Sequence, residues 1–565
     1  MKPNKLFWIL WFVWLFLNFL TGLMQEIYTD ESYYHLYGQY LAWGYYDHPP
    51  MVGLMAWLSD TIMCHTTMLG WRNLTVRLMT ILTHGLTVWL LWKVTTEGRQ
   101  VSNKTVWTFF MVAAGMVMFC TAGFMTTPDA PLLLFVTLFF YAYQHYLKGQ
   151  KVWAWSLVLC LAIAGMLYSK YMGVLVVAFV VISNWRLIKE GRLWLVLLGA
   201  LLLLIPHLWW QYSHNFPSLQ YHLVARNDGI HLAYLLDYWP NQLVVFNPLS
   251  LILMIVLGIY ALRHKDDTFE KSLAVTTIGF LAFFWIMTLK GHAEPHWTTA
   301  ASIPAIILLT RGLEDGWVAW TQRRWVRVTL WIMVGLCTIA RSVLWTNQLP
   351  IETGLGSKHQ RYDLFHEMAG EDRTLISVGS FQWPSMYRFW YGDAFVTHDI
   401  RERHTQYEFL DIDIPMQGKK ACICDPFPGC QDTIVGGRTY HFTWIEKLQL
   451  TDRVRVQVEQ QQLVGDSIYW QLQITNPYPV AFDFQHAEMP CHLMVASVQD
   501  DGWHFVECRL PNGTTPIAAG DSVRYEGKIS WREMTTDDNP QGTKYIFSLY
   551  NGLASTENSE VYVIQ

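Results

Sequence analysis

The stretch TDESYYHLYGQYLAWGYYDHPP, residues 29–50, follows directly on the first strongly apolar segment and organises the rest of the chain. It contains two acidic sites: the adjacent pair Asp30 and Glu31, and, near its end, Asp47 followed by His48. Between these sites, aromatic and apolar residues recur at roughly helical spacing, which predicts a short helix in the membrane interface with its aromatic side down. Such a helix would hold the two acidic sites a fixed distance apart. Its residues are Tyr33, Tyr34, Tyr37, Tyr40, Leu41 and Trp43.

A second interpretation gives the first acidic pair a purely local role. Asp30 would cap the N-terminus of this helix, and Glu31 would lie in the first turn, where the helix dipole favours acids. The pair Pro49-Pro50 locks the backbone and predicts that the next helix begins at about Met51. The sequence alone leaves both the capping and the catalytic interpretation open.

The composition is that of a polytopic membrane protein. Of the 565 residues, 52% are hydrophobic, 15% are aromatic and only 15% are charged, which is far too apolar for an ordinary soluble enzyme. The net charge of -5 says little, because the positions of Lys and Arg decide topology. The composition gives no support for nucleic-acid binding.

Apolar runs of about 17 to 25 residues predict about eleven membrane-spanning helices. The first run is longer and more aromatic than a cleaved signal peptide and has no small-residue cleavage site, so we interpret it as an anchor. The predicted spans lie near residues 6–24, 74–92, 106–125, 130–147, 152–168, 172–188, 193–210, 246–262, 272–289, 297–312 and 326–345.

Basic residues are concentrated in alternate loops, for example Lys93, Arg192 and Arg323, which predicts that those loops are cytoplasmic. The opposite loops, at 25–72, 211–245 and 290–296, contain nearly all the acids, histidines and aromatics that suggest chemistry. The working face is therefore predicted to be extracytoplasmic. An odd number of spans places the chain after about residue 346 on that face as well.

Four further candidate residues lie on the same face. Asp129 follows the third span, where an N-cap role is favoured over catalysis. Lys170 lies at the outer membrane boundary, where snorkelling explains it as well as binding of an anionic lipid headgroup does. Glu294 and His296 lie in a short loop close to the bilayer, where such groups are usually functional or paired.

Loop 211–245 contributes His222, Arg226 and His231. Either histidine is a candidate to join Asp47 and His48 around a divalent cation. No spacing here is diagnostic of a metal site, and solvent-exposed or packing histidines are the safer interpretation. A divalent metal is therefore only a candidate cofactor, and no organic cofactor is expected.

From about residue 351 the composition turns polar, so residues 1–350 are predicted to form the membrane domain. Residues 351–445, which include TLISVGSFQWPSMYRFWYG, predict an α/β segment, and residues 446–565 alternate apolar and polar residues as in a β-sandwich. The motif CICDPFPGC resembles a metal knuckle but has no fourth ligand nearby, so a local disulfide or free thiols are favoured. The cysteines of this region are Cys422, Cys424, Cys430, Cys491 and Cys508.

Several motifs together resemble the bacterial GT-C glycosyltransferases, in the branch of protein O-mannosyltransferases and the lipid A aminoarabinose transferase. They are the opening stretch with MVGL, then TTPDAPLLLF, YSKYMGVL, QYSHNFPSLQY and HAEPHW. The resemblance covers about residues 5–350 and is specific in order and spacing for the first four motifs. It implies inverting transfer of a monosaccharide from a polyprenyl-phosphate donor to a lipid, glycan or protein hydroxyl, at the outer face of a bacterial inner membrane.

The resemblance also implies roles for individual residues. Asp30 corresponds to the base and Glu31 supports it, while Asp47 corresponds to the acid near the donor phosphate, in some members through a metal shared with a loop histidine. This chain has His48 where a lysine is usual, so phosphate binding is expected to fall to Lys170, Arg226 or His48. Two other classes remain open: a lipid or polysaccharide transporter, and a membrane scaffold that binds through its C-terminal domain.

Overall fold

The computed structural model describes residues 2–68, 70–222, 231–346, 359–435, 438–499, 502–510, 513–535 and 540–564. Contacts divide the chain into two compact units, Met1–Ser357 and Lys358–Gln565. The first unit is helical. The second contains the β-strands.

Most helices of the first unit follow the predicted apolar runs, but helix α13 occupies residues that were predicted to belong to loop 211–245. The helices are α1 (Pro3–Met24), α2 (Thr29–Gln39), α3 (Met51–Ile62), α4 (Leu74–Thr96), α5 (Asn103–Gly115), α6 (Val117–Thr121), α7 (Asp129–Leu147), α8 (Val152–Ser169), α9 (Gly173–Ser183), α10 (Gly191–Leu203), α11 (Ile205–Ser213), α12 (Pro217–Gln220), α13 (Leu232–Phe246), α14 (Pro248–His264), α15 (Thr268–Met287), α16 (Ser302–Glu314) and α17 (Arg324–Leu344).

Among the described residues, six helices are long and apolar enough to cross a membrane: α1, α4 with the short 3₁₀ turn before it, α7, α8, α15 and α17. The bent pairs α10 with α11 and α13 with α14 raise the number to as many as eight. The predicted total of about eleven is therefore not confirmed. The prediction counted three segments that are not long continuous helices. Helix α9 is only 11 residues long, α5 and α6 are two parts of a broken helix, and the run at 297–312 begins as a 3₁₀ turn before α16.

The breaks occur where the backbone leaves helical geometry. Met116 separates α5 from α6 in an extended conformation. Asn247 separates α13 from α14 at a positive φ of 62°, caps α14 by accepting from the Ser250 amide, and is followed by Pro248. The two helices diverge by 99° there, because proline has no amide proton with which to continue the preceding helix.

The opening stretch differs from the predicted interfacial helix. Helix α2 ends at Gln39, so Tyr40 and Trp43 lie beyond it and are exposed. Its own tyrosines are buried in protein, Tyr33, Tyr34 and Tyr37 at 6% exposure or less. The proline pair acts as predicted, since α3 begins at Met51.

The second unit opens with α18 (His359–Ala369) and an α/β sheet. Strand β1 (Thr374–Val378) leads into α19 (Gln382–Tyr391), and the sheet order is β2-β1-β3-β5-β4. Strands β2 (Ala394–Thr397) and β3 (Ala421–Ile423) are parallel to β1, whereas β5 (Arg438–Ile445) is antiparallel to both β3 and β4 (Gln431–Val435).

Two antiparallel sheets follow. One has the order β10-β7-β6, with β6 (Arg455–Val464), β7 (Ser467–Thr475) and β10 (Ser522–Ser530). The other has the order β12-β11-β8-β9, with β13 also paired to β11; its strands are β8 (His492–Gln499), β9 (Gly502–Glu507), β11 (Lys544–Tyr550), β12 (Ser555–Glu557) and β13 (Tyr562–Val563).

The two sheets face each other across an aromatic core. Trp470 on β7 donates its indole proton to the Tyr545 hydroxyl on β11 at 2.8 Å and packs against Phe547. Alternating side chains on both strands supply this core, which is the pattern of a β-sandwich. All nine cysteines are free thiols in the structure, which is one of the two alternatives that the sequence left open for CICDPFPGC.

Candidate functional site

The N-terminus of α2 is anchored to α4 by a buried ion pair. Glu31, fully buried, accepts from Arg77 Nε at 2.8 Å and from Arg77 Nη2 at 2.5 Å. The same carboxylate accepts from the amides of Tyr28 at 2.8 Å and Thr126 at 2.9 Å. The capping function expected of Asp30 thus belongs to Glu31, because it is Glu31 that reaches back to the amide of the N-cap residue Tyr28.

Asp30 is only partly buried and lies beside this anchor. The negative charge of Asp30 acts on two tyrosines. The pKa of both Tyr28 and Tyr34 is raised, mainly by burial and secondly by the charge of Asp30. The charge of Glu294 also raises the pKa of Tyr28, which indicates that the short loop carrying Glu294 lies near the start of α2.

Asp47 lies at the other end of the opening stretch and is 6% exposed. Its Oδ1 accepts from the Tyr37 hydroxyl at 2.6 Å. The Tyr37 ring is stacked on Tyr45 with centroids 4.0 Å apart, and the Tyr45 hydroxyl donates to the Tyr37 carbonyl. A layer of two tyrosines therefore fixes the direction in which the Asp47 carboxylate points.

A second buried ion pair joins Asp129 and Lys170. The Lys170 ammonium donates to both carboxylate oxygens of Asp129, at 3.0 and 2.9 Å. Asp129 is the first residue of α7 rather than its cap, and Lys170 directly follows α8. Both side chains are buried, so Lys170 is not a lysine that snorkels into water.

The charges of three carboxylates, Asp30, Asp47 and Asp129, act on Tyr34. Burial raises the pKa of this phenol well above its usual value, and the charges of these three acids raise it further. Tyr34 contacts His48, with ring centroids 5.7 Å apart. The structure therefore gathers the predicted acids at one end of the helix bundle.

His48 is neutral in this environment. Burial lowers its pKa to about 3, and the positive charges of Lys170 and His222 act in the same direction, while Asp47 and Asp129 oppose the shift. An imidazole without charge offers a hydrogen bond or a lone pair, not a positive charge.

The two candidate histidines of loop 211–245 lie differently. His222 Nε2 is 3.2 Å from the main-chain carbonyl of Asp47, and its ring packs edge-on against Tyr171. His231 is exposed, precedes α13 and packs against Tyr234, which in turn contacts His292. Arg226 lies outside the described residues.

The remaining candidate, His296, is partly buried in the 3₁₀ turn before α16, where its carbonyl accepts from the Thr299 hydroxyl.

Asp47 and His222 supply a carboxylate and an imidazole, the donor types that a divalent cation such as Zn²⁺ accepts. His48 is uncharged beside them, as a ligating histidine must be. These residues offer donor types suited to a metal ion, but they do not form a convergent triplet of ligand atoms. In the described part of the chain, convergent triplets of metal-ligating groups occur in the second unit.

Sequence reasoning missed Arg77 and Tyr37. Arg77 is a lone cation inside an apolar run, a position in which a charged side chain is usually paired or functional. Its three remaining N–H groups donate to the carbonyls of Gly22, Gln25 and Glu26, so that it joins the end of α1 to the acidic pair. Tyr37 was assigned to a membrane-facing surface, whereas it supports Asp47.

Comparisons with known proteins bear on the family and the fold. Residues 47–210 match the family model described as dolichyl-phosphate-mannose-protein mannosyltransferase. The lipid A galacturonosyltransferase RgtD of Rhizobium johnstonii is 25% identical over 298 residues, which are 50% of this chain and 60% of that protein. The alignment thus spans less than two thirds of the curated relative.

The fold is that of ArnT from Cupriavidus metallidurans. The apo structure superposes with a TM-score of 0.54 at 13% identity over 77% of this chain and 97% of ArnT. The structure with undecaprenyl phosphate gives 0.55 over 78% and 98%. The predicted polytopic helical fold is confirmed as the fold of ArnT, and the long apolar helices are those of an integral membrane protein. The glycosyltransferase resemblance is supported by the family model over residues 47–210 and by the 25% identical relative.

Proposed function

We propose that the protein transfers a monosaccharide, with inversion, from a polyprenyl-phosphate-linked donor to a hydroxyl of a lipid, glycan or protein acceptor at the extracytoplasmic face of a bacterial inner membrane. The observation that carries this proposal is the convergence of Asp30, Asp47 and the Asp129–Lys170 pair around Tyr34 at one end of an apolar bundle. The undecaprenyl phosphate bound to ArnT supports the class of donor.

Asp30 is the base in this proposal. Glu31 is fully buried and its oxygens accept from Arg77, Tyr28 and Thr126, so it positions α2 instead of meeting substrate. Asp30 is the more exposed acid of the pair. Its carboxylate takes the proton of the acceptor hydroxyl while the oxygen attacks the anomeric carbon and the bond to the phosphate oxygen breaks. The phosphate leaves with the electron pair.

The leaving phosphate is bound at the other side of Tyr34. Lys170 uses two donors on Asp129 and has a third for a phosphate oxygen. His48 contributes a hydrogen bond, and Arg226 of the neighbouring loop remains a candidate. Asp47 and His222 would hold a divalent ion, which supplies positive charge against the phosphate.

The test is transfer of radiolabelled sugar from a panel of polyprenyl-phosphate sugars in membranes that contain the acceptor. Asp30→Asn should lower the rate by at least about 100-fold, the range of general-base catalysis. Asp60→Asn is the matched control, because Asp60 lies on the nearby α3 and pairs with His65 and His35 instead of with the acids near Tyr34. Normal transfer by Asp30→Asn would contradict the role of Asp30 as the base. If the wild type transfers no sugar from any donor, the proposal that the protein is a transferase is wrong.

A further inference from the structure

The hairpin formed by β4 and β5 brings three metal-ligating side chains to one side. Cys430 directly precedes β4, and Asp432 is two residues further on, so both point to the same side of the strand. The ladder register places His441 on β5 directly opposite Asp432. Neighbouring side chains in such a cross-strand pair have Cβ atoms about 5 Å apart.

The three candidate ligand atoms are mutually close. His441 Nδ1 lies 2.8 Å from Asp432 Oδ1, and Cys430 Sγ lies 3.8 Å from Asp432 Oδ1 and 3.9 Å from His441 Nδ1. For a tetrahedral Zn²⁺ with ordinary bond lengths, these separations would be about 3.4 to 3.6 Å. Shifts of a few tenths of an ångström at each atom therefore bring all three onto one ion.

The chemistry of the three atoms selects the ion. A thiolate sulfur and an imidazole nitrogen are preferred by borderline-soft cations, and a carboxylate oxygen completes a set found in zinc sites. The side chains of Asp432 and His441 are 62% and 31% exposed, so an ion can enter and a water can occupy the fourth position.

A second triplet in the same unit, His398, His404 and Glu408, has a simpler explanation. Glu408 accepts from the Thr405 amide at 2.6 Å as a helix cap and from His404 Nδ1 at 2.6 Å, and it lies 3.5 Å from His398 Nδ1. Its carboxylate already serves a cap and two imidazoles. The Cys430 sulfur, by contrast, has only long contacts, at which a thiol bonds weakly.

We propose that Cys430, Asp432 and His441 bind a borderline-soft divalent cation, of which Zn²⁺ is the best match. The Cys430 S–H bond breaks as the sulfur–metal bond forms, and the proton leaves to solvent. The ion fastens the edge strand β4 to β5. All three residues belong to the second unit, and the proposal does not depend on glycosyl transfer.

The experiment uses the full chain, purified in detergent, reduced, and freed of metal with a chelator. Co²⁺ is added as the spectroscopic probe, and the ultraviolet charge-transfer band of a cobalt–thiolate bond is recorded. Wild type should give the band with one equivalent of Co²⁺, and Zn²⁺ should displace it. Cys430→Ser should abolish the band, and His441→Gln should weaken binding at least about tenfold, since even outer-shell changes have that effect.

Two matched variants serve as controls. Cys64→Ser removes the exposed cysteine of the first unit, and His404→Gln removes a ligand of the other triplet. Both should keep the band and its affinity. A band that survives in Cys430→Ser, or wild-type protein that gives no band, would overturn the proposal. Tighter hydrogen-exchange protection of β4 in the presence of Zn²⁺, seen in wild type and lost in His441→Gln, supplies a second measurement that does not depend on the thiolate band.

Discussion

The adjacent acids Asp30 and Glu31 differ more in environment than in chemistry. Glu31 is closed in by four hydrogen bonds and its positive partner Arg77, whereas Asp30 is partly exposed beside Tyr28 and Tyr34. A buried charge that loses its partner is costly, because neither water nor another group replaces the lost interaction. The environments of Asp30 and Glu31 therefore suit them to different roles, although the two residues are adjacent in the sequence.

Glu31→Gln should destabilise the membrane unit by about 3 to 5 kcal/mol, because it leaves the guanidinium of Arg77 buried without a carboxylate. Thermal unfolding of the purified protein, followed by the accessibility of buried cysteines, measures this. Asp30→Asn is the control and should unfold close to wild type. Equal melting of Glu31→Gln and wild type would contradict the anchoring role.

At the scale of elements, the pair Asp129 and Lys170 connects the start of α7 to the end of α8. Sequence reasoning located both helices but interpreted the two residues separately, as a cap and as a snorkelling lysine. Hydropathy predicts which segments are apolar, but it does not predict which polar side chains form contacts between helices. The bend at Asn247 was missed for the same reason, although the dipeptide Asn247-Pro248 is a local turn signal.

Lys170→Met alone should destabilise the protein by about 3 to 5 kcal/mol and abolish transfer. The double variant Asp129→Leu with Lys170→Met should recover most of the stability, since apolar replacement of a whole buried pair is often neutral. If Lys170 binds the phosphate, transfer stays lost in the stable double variant. Restored transfer would show that the pair is only structural.

At the scale of the whole molecule, the distribution of Lys and Arg predicts which face carries the acids. The apolar runs predicted the helices because membrane-spanning segments must be long and apolar. Three features depend on tertiary contacts, which a single sequence does not display. They are the one-residue breaks at Met116 and Asn247, the buried partner Arg77, and the pairing of Asp432 with His441 across the sheet. The strand that runs into α19 was predicted, since alternation and turn residues are local signals.

Cys64 gives a direct measure of orientation. It is exposed after α3, on the predicted extracytoplasmic side, whereas exposed Ser102 lies between α4 and α5 on the opposite side. A membrane-impermeant maleimide should label Cys64 in intact spheroplasts, in a Cys430→Ser background. Ser102→Cys, placed in a chain that also has Cys64→Ser, should react only after the membrane is opened. The reverse pattern would invert the proposed topology.

The capping contact at the start of α2 also limits how this motif can vary. Glu31 spans from its helix to Arg77 and Thr126 with a side chain that is one methylene longer than aspartate. If the two acids exchanged places, net charge and composition would stay the same. The shorter acid would then fall short of its three neighbours, while the longer one would crowd the substrate. Related sequences should therefore keep the order aspartate then glutamate at these two positions, even where the neighbouring residues differ.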